Sequence, residues 1–274
     1  MSNQLIALRS DVRINIATTE AQSPTSQEPT LVFLHFWGGS SKTWLPVITL
    51  LSPTYPTLAI DFRGWGASTG PGRPDAYSIS DLAEDVRQII RQKITGDYVL
   101  VGHSMGAKVA QLIAGMHAPE FAQIKANLRG VVLVCPAPPT PLILPQDMRD
   151  QQIHAYDSAE SAAFVTRNVL TASKLEQAAV DALVRDMLQG NSHARAAWPA
   201  YAMGENVISD GWRLGAPCLV IAAENDRVEP VDRVRAEVLQ RLEQAQFAII
   251  KGSGHLAPVE APHSIVEIVQ KFLQ

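Results

Sequence analysis

Asp97-Tyr98-Val99-Leu100-Val101-Gly102-His103-Ser104-Met105-Gly106-Ala107-Lys108-Val109-Ala110-Gln111-Leu112-Ile113-Ala114 decides how this chain is read. After Asp97 the run Tyr98-Val99-Leu100-Val101 is aromatic and aliphatic with two β-branched valines, as a buried strand is, and the stretch from Ala107 reads as a helix. Between them Gly102-His103-Ser104-Met105-Gly106 matches G-x-S-x-G. Three fixed letters in five also occur by chance; the strand before and the helix after are the context that gives the match meaning. A serine on such a turn is held in a strained conformation with its hydroxyl presented for attack. Small neighbours make this tolerable, and Gly102 and Gly106 let strand and helix approach closely. The N–H groups of Met105 and Gly106 then lie at a helix N-terminus, where negative charge is stabilised.

The same alternation extends in both directions. Leu31-Val32-Phe33-Leu34-His35 and Thr57-Leu58-Ala59-Ile60-Asp61-Phe62 read as strands, the second ending in the turn Gly64-Trp65-Gly66. A helix is expected from about Thr43 and another from Ser78. For the latter, Ser78 with Asp81 fits a capping box, Tyr77 with Leu82 a hydrophobic staple, and Leu82, Val86, Ile89, Ile90 and Ile94 an apolar face. After the strand Val131-Val132-Leu133-Val134-Cys135, five prolines (136, 138, 139, 141 and 145) interrupt the rhythm. From there to about Trp212 the chain reads as wholly helical. Leu175, Ala179, Leu183 and Met187 repeat at i+4, with Gly190 as the expected helix end. The strand–helix rhythm resumes at Cys218-Leu219-Val220-Ile221, with a helix from Pro230, a strand over Phe247-Ala248-Ile249-Ile250 and a last helix from Pro262. This is the pattern of a parallel sheet covered by helices. The expected domains are a sheet core over 1–135 and 213–274, and a helical insertion over 136–212 that serves as a lid.

The 274 residues are 46% hydrophobic and 18% charged, enough for a large core, and the net charge of −4 offers no footprint for nucleic acid. No apolar stretch reaches the ~20 residues of a membrane span, and the N-terminus lacks a signal-peptide pattern. A cytoplasmic protein without nucleic-acid or membrane partners is the expectation, its oligomeric state left open. Cys135 ends one strand and Cys218 begins its expected neighbour, so the two thiols should lie at opposite edges of the sheet, too far apart to bond. Neither fits a metal spacing, no H-E-x-x-H is present, and Gly64-Trp65-Gly66 lacks the Gly-Lys-Ser/Thr of a phosphate loop. No cofactor or metal is expected.

A serine hydroxyl needs a general base beside it and a carboxylate to orient that base. In a parallel sheet the loops leaving the C-terminal strand ends converge. Of seven histidines, His255 leaves the last strand through Gly252 and Gly254. His35 lies in a strand, His103 in the turn before Ser104, His117 at the end of the following helix, His154 and His193 in the insertion, and His263 at the last helix. For the acid, Glu224 and Asp226 both leave the preceding strand, and Asp226 could instead cap its loop or pair with Arg227.

Taken together, these residues resemble the α/β-hydrolase family. The resemblance rests on Leu34-His35 with Gly39-Ser40-Ser41, on Asp61-Phe62-Arg63-Gly64-Trp65-Gly66-Ala67-Ser68, on the Ser104 turn, on Glu224-Asn225-Asp226 and on Gly254-His255, in the family's order along nearly the whole chain. It implies a mostly parallel central sheet flanked by helices with an inserted helical cap. It further implies Ser104 as nucleophile, His255 as acid–base and Asp226 as its orienter. Among subgroups the chain is similar to small capped serine esterases and cofactor-free haloperoxidase-like enzymes; serine at 104 argues against dehalogenases and epoxide hydrolases, which carry aspartate there.

The chain departs from the family at His35-Phe36-Trp37-Gly38-Gly39-Ser40, where Phe36 replaces a usual glycine. Aligning Gly39-Ser40 makes the Trp37 N–H the expected partner of the Met105 N–H in an oxyanion hole, with Phe36 as the rival one residue earlier. Gly38 is expected to supply the lost freedom. Phe36, Trp37 and His103 are candidate pocket residues, the aromatic pair equally able to pack against the lid. Trp198, Tyr201 and Met203 in the insertion face the same choice. The resemblance implies a carboxylesterase acting on a small-molecule ester through a Ser-His-Asp acyl-enzyme. Thioester or lactone hydrolysis and acyl transfer to peroxide are alternatives. A hydrolase-fold receptor would instead show ligand-induced stabilisation without turnover.

Overall fold

The strands form one sheet whose two faces are both covered, as the apolar runs require. The computed structural model describes residues 1–21, 28–115, 121–125, 127–210, 212–242 and 244–274. Eight strands occur among them: β1 (Ser2–Arg9), β2 (Val12–Thr19), β3 (Thr30–Leu34), β4 (Thr57–Ile60), β5 (Tyr98–His103), β6 (Leu128–Val134), β7 (Cys218–Ala223) and β8 (Gln246–Ile250). Their order is β1-β2-β4-β3-β5-β6-β7-β8. β2 runs antiparallel to β1 and β4, and the remaining neighbours are parallel. Leu34 pairs with Gly102, His103 with Val134, Val134 with Ile221 and Ala223 with Ile250, so the loops at His35, Ser104, Cys135 and Glu224 leave along one edge.

Side chains alternate between two cores, as the two-residue period of a strand dictates. Val32, Leu34, Leu100, Val131, Leu133 and Val220 face one core with helices α2 (Ile79–Lys93) and α3 (Met105–Ala114). Leu31, Phe33, Val99, Val101, Val132 and Ile221 face the other with α1 (Leu45–Leu51) and α11 (Pro262–Leu273). α2 begins at the expected capping box: the Asp81 N–H donates to Ser78 Oγ at 2.9 Å and the Ser78 N–H to Asp81 Oδ2 at 3.1 Å. Short helices α4 (Ala122–Lys125), α9 (Val231–Arg233) and α10 (Ala257–Glu260) complete the flanks. Both cysteines are free and buried; Val131, four residues before Cys135, pairs with Cys218, so the thiols sit at opposite ends of their strands.

Between β6 and β7 lie α5 (Gln146–Ile153), α6 (Ala159–Val165), α7 (Gln177–Gln189) and α8 (Ser192–Ala200). The segment departs from the wholly helical reading after Ala200: among the described residues a 3-10 turn at Ala202–Gly204 and a bridge from Leu214 to Gly115 precede β7. Its two stems pair instead, the Leu142 N–H donating to Met203 O and the Val207 N–H to Pro139 O, both at 2.9 Å. Gly190 does follow α7, but with extended angles (φ −55, ψ 132) in place of a left-handed cap. A Cβ there would run into the Trp65 indole, so packing, not conformation, requires the glycine. Among the described residues no helix is long and apolar enough to cross a membrane.

Candidate active site

Ser104 stands between β5 and α3 with φ 54 and ψ −115, a conformation non-glycine residues adopt only when the surroundings impose it. Those surroundings are backbone. The Ser104 N–H donates to Val134 O at 3.0 Å, and its carbonyl accepts from Ala107, Lys108 and Ala137 N–H. A Cβ on Gly102 would lie 2.5 Å from Gly106 O, and one on Gly106 would strike Leu34 O. The two glycines of the pentapeptide therefore let the helix sit directly against β5 and β3.

His255 leaves β8 through Gly252, which takes φ +72. Its Nδ1 lies 2.8 Å from Asp226 Oδ2, and both side chains are buried. Asp226 Oδ1 accepts from the Val228 and Glu229 N–H groups at 2.8 and 2.9 Å, so one carboxylate both shapes its loop and holds the imidazole. An ionised carboxylate only accepts, which places the histidine proton on Nδ1 and leaves the lone pair on Nε2. The other carboxylate leaving β7 points away from the imidazole: Glu224 is exposed and accepts from the Gly252 N–H. Arg227 donates to Asn168 O and makes no pair with Asp226.

His255 is fastened to the serine turn through its own carbonyl, which accepts from His103 Nε2 at 2.7 Å. His103 is wholly buried, and its ring packs against Phe36, Trp44 and His255. Burial first, then His255, drives its pKa well below the ordinary value, so it is a neutral, structural imidazole. His154 pairs with Asp157 on the surface, His263 is exposed, and His117 lies outside the described residues.

The loop after β3 is also built on a neutral histidine. His35 Nε2 accepts from the Phe62 N–H at 3.0 Å, so Nδ1 carries the proton and donates to Phe36 O at 2.6 Å. Burial lowers the His35 pKa against the pull of Asp61. Phe36 O also accepts from the Gly39 N–H, which pins the peptide whose other end is the Trp37 N–H. The left-handed step falls on Gly38, at φ +98. Neither the Trp37 nor the Met105 N–H has a hydrogen-bond partner among the described residues. Phe36 is buried against His103, and Trp37 packs on Tyr156 of the inserted segment.

Two buried ionisable groups near the serine turn, Lys108 and Glu229, escaped the sequence reading. Lys108, one turn along α3, donates to Thr140 O and Met203 O at 3.0 and 2.8 Å, tying both stems of the insertion to the serine helix. Burial pushes its ammonium down to about 8, against Glu205 and Glu229. Glu229, beside Asp226, is raised well above the usual carboxylate range by burial. Cys135 takes φ +44, and burial followed by Asp226 raises its thiol. A charged residue on an otherwise apolar helix face was the one available signal, and it applied to Lys108. Donor atoms of His103, Cys135 and His255 lie within 4.8 Å of one another, where burial and Asp226 raise the Cys135 thiol and so oppose the thiolate a metal would need.

Comparison with known proteins places these features in context. A family model described as the alpha/beta hydrolase family matches residues 31–268. The chain is 34% identical over 108 residues to a 2-(acetamidomethylene)succinate hydrolase of Mesorhizobium japonicum, covering 39% of this chain and 37% of that protein. Among solved structures, a hydrolase from Pseudomonas aeruginosa superposes with a TM-score of 0.80 at 23% identity, covering 99% of this chain and 98% of that one. A bromoperoxidase from Bacillus anthracis does so with a TM-score of 0.81 at 15% identity, covering 99% of each chain. At these identities the two structures speak to fold alone.

Proposed function

The chain belongs to the alpha/beta hydrolase family, and from that premise we propose that it is a serine hydrolase cleaving a small carboxylic ester. The buried couple of Asp226 and His255, 2.8 Å apart and tied to a strained Ser104 turn, carries this reading. Ser104 Oγ attacks the ester carbonyl while its proton passes to His255 Nε2. The oxygen that becomes negative is held by the N–H groups of Trp37 and Met105, the second at the start of α3 where the helix dipole favours an anion. The carbon–oxygen bond to the alcohol then breaks as His255 returns its proton to the leaving oxygen. Water attacks the acyl-enzyme, giving its proton to His255, and the acid departs as Ser104 regains its hydrogen. Asp226 keeps the imidazole in the tautomer each step needs.

In this reading residues 136–212 form a cap over the core of 1–135 and 213–274, and Trp37 with Phe36 borders the reacting carbonyl. Water is the acyl acceptor. Hydrolysis of p-nitrophenyl acetate by the wild type, and its loss in Ser104→Ala with an unchanged melting temperature, tests the proposal. Equal activity in the two proteins overturns it. Adding peroxide to the same assay shows whether the acyl group is diverted to a peracid.

A further inference from the structure

Trp37 is bound to the inserted segment by a closed ring of three hydrogen bonds. Tyr156 Oη donates to Trp37 O at 2.9 Å, the Trp37 indole N–H to Arg195 O at 3.0 Å, and Arg195 Nη1 to Tyr156 O at 2.7 Å. The Trp37 and Tyr156 rings lie 4.2 Å apart at 33°. The fit leaves no slack: a Cβ on Gly38 would lie 2.5 Å from Tyr156 Oη.

The two peptide planes flanking the Trp37 Cα are thus held from different parts of the molecule. The plane before it, which carries the Trp37 N–H, is held by the core, through His35 Nδ1 and the Gly39 N–H on Phe36 O. The plane after it is held by the insertion, through the Tyr156 hydroxyl. The bonds on Phe36 O hold one end of that plane, which can still pivot about the oxygen and carry the Trp37 N–H with it. Anchoring the Trp37 Cα from the far side, through Trp37 O, removes the pivot. Ring stacking alone would require neither the hydroxyl nor the Arg195 bond behind it. Burial raises the Tyr156 phenol far above its ordinary value, so it remains a donor at any assay pH.

We propose that Tyr156 is a positioning residue for acyl transfer: its hydroxyl, braced by Arg195, aims the Trp37 amide at the developing oxyanion. The oxyanion site is then complete only while the inserted segment lies on the loop. This rests on the serine-hydrolase reading above, and it assigns to the insertion a part in the chemistry beyond covering the site.

Tyr156→Phe keeps the ring stack and removes the hydroxyl. The quantities to measure are kcat and KM for p-nitrophenyl acetate, and the inhibition constant of phenylboronic acid, whose tetrahedral adduct places an oxygen where the oxyanion forms. A misaimed donor lowers kcat and boronate affinity together, by about tenfold or more, with KM within about twofold. Arg195→Ala, which removes only the brace, gives a smaller fall in the same two quantities and reads the effect even if the tyrosine variant folds poorly. Values of kcat and boronate affinity within about twofold of wild type in both variants overturn the proposal. So does a loss confined to KM, or a fall in kcat without a fall in boronate affinity. A wild type that turns over ester and binds boronate while the variants match it retires the Tyr156 role and leaves the hydrolase intact. A wild type inert to both compounds retires the hydrolase reading itself.

Discussion

His255 Nδ1 and Asp226 Oδ2 are 2.8 Å apart, and the same carboxylate accepts two backbone N–H groups of its own loop through Oδ1. In the proposed mechanism one side chain therefore carries both a structural and a chemical duty, and a substitution can separate them. Asp226→Asn retains an acceptor for Val228 and Glu229 but loses the charge that holds the His255 tautomer. The expected result is a fall in kcat of about 10³–10⁴-fold, with the melting temperature nearly unchanged. Asp226→Ala adds to this a loss of stability of about 1–3 kcal/mol, from N–H groups left without a partner. Steady-state kinetics beside thermal unfolding separates the two effects.

Gly106 packs α3 against the end of β3, and a Cβ there meets the Leu34 and His35 carbonyls, backbone that cannot step aside. Gly106→Ala is expected to destabilise the fold by about 1–3 kcal/mol or more and to displace Ser104. Urea unfolding checks the first effect. A variant as stable and as active as wild type would contradict the close approach.

Arg63 and Asp85 form a buried pair, each about 1% exposed, with Nε to Oδ2 at 2.6 Å and Nη2 to Oδ1 at 2.7 Å. The remaining guanidinium hydrogens go to Ala76 O, Asp81 O and Asp81 Oδ1. Burial raises the Asp85 pKa, and Arg63 pulls it back. Arg63→Met leaves the buried carboxylate to the partly exposed Arg9, whose Nη2 lies 3.3 Å from Asp85 Oδ1, and is expected to cost about 3–5 kcal/mol, most of which Arg63→Met combined with Asp85→Leu restores. Denaturant curves of the single and double variants test this; a double variant no more stable than the single would refute it.

Lys108 makes stability depend on pH in a direction that can be worked out. Its folded pKa is pushed down to about 8 from an ordinary 10.5. Between those values the unfolded chain holds a proton the folded chain has released, so stability rises with pH across that window. The difference in unfolding free energy between wild type and Lys108→Met should therefore shift toward wild type from about pH 8 to pH 10.5. A flat or falling difference would show that Lys108 is not desolvated. At pH 7 the variant also leaves Thr140 O without the lysine it now accepts from, which favours wild type by about 1–3 kcal/mol.

Much of this architecture is legible in the sequence wherever a local rule and the tertiary environment agree. The Ser78–Asp81 box marks the start of α2, and the strand–turn–helix around Ser104 fixes both the fold and the turn. The N-terminal hairpin was illegible for a physical reason: β1 buries only Ile6, and β2 buries four consecutive residues, Ile14 to Ala17, so neither shows a two-residue period. Residue type and position alone do not separate Glu224 from Asp226, since both leave the same strand and only their side-chain directions differ; the family resemblance is what singles out Asp226. Gly190 reads as a helix cap, yet the Trp65 indole, 125 residues earlier in the chain, is what demands it. Tyr156 and Arg195 reach Trp37 through backbone carbonyls, a partnership that leaves no side-chain pattern in the insertion.

The central claim is that Ser104 is an activated nucleophile, and covalent labelling measures this most directly. Incubation with a fluorophosphonate followed by peptide mass spectrometry should place one adduct on the peptide containing Ser104. Labelling should be lost in Ser104→Ala and slowed by orders of magnitude in His255→Ala. A folded wild-type protein that takes up no label at Ser104, or one that labels equally fast without His255, would contradict the account.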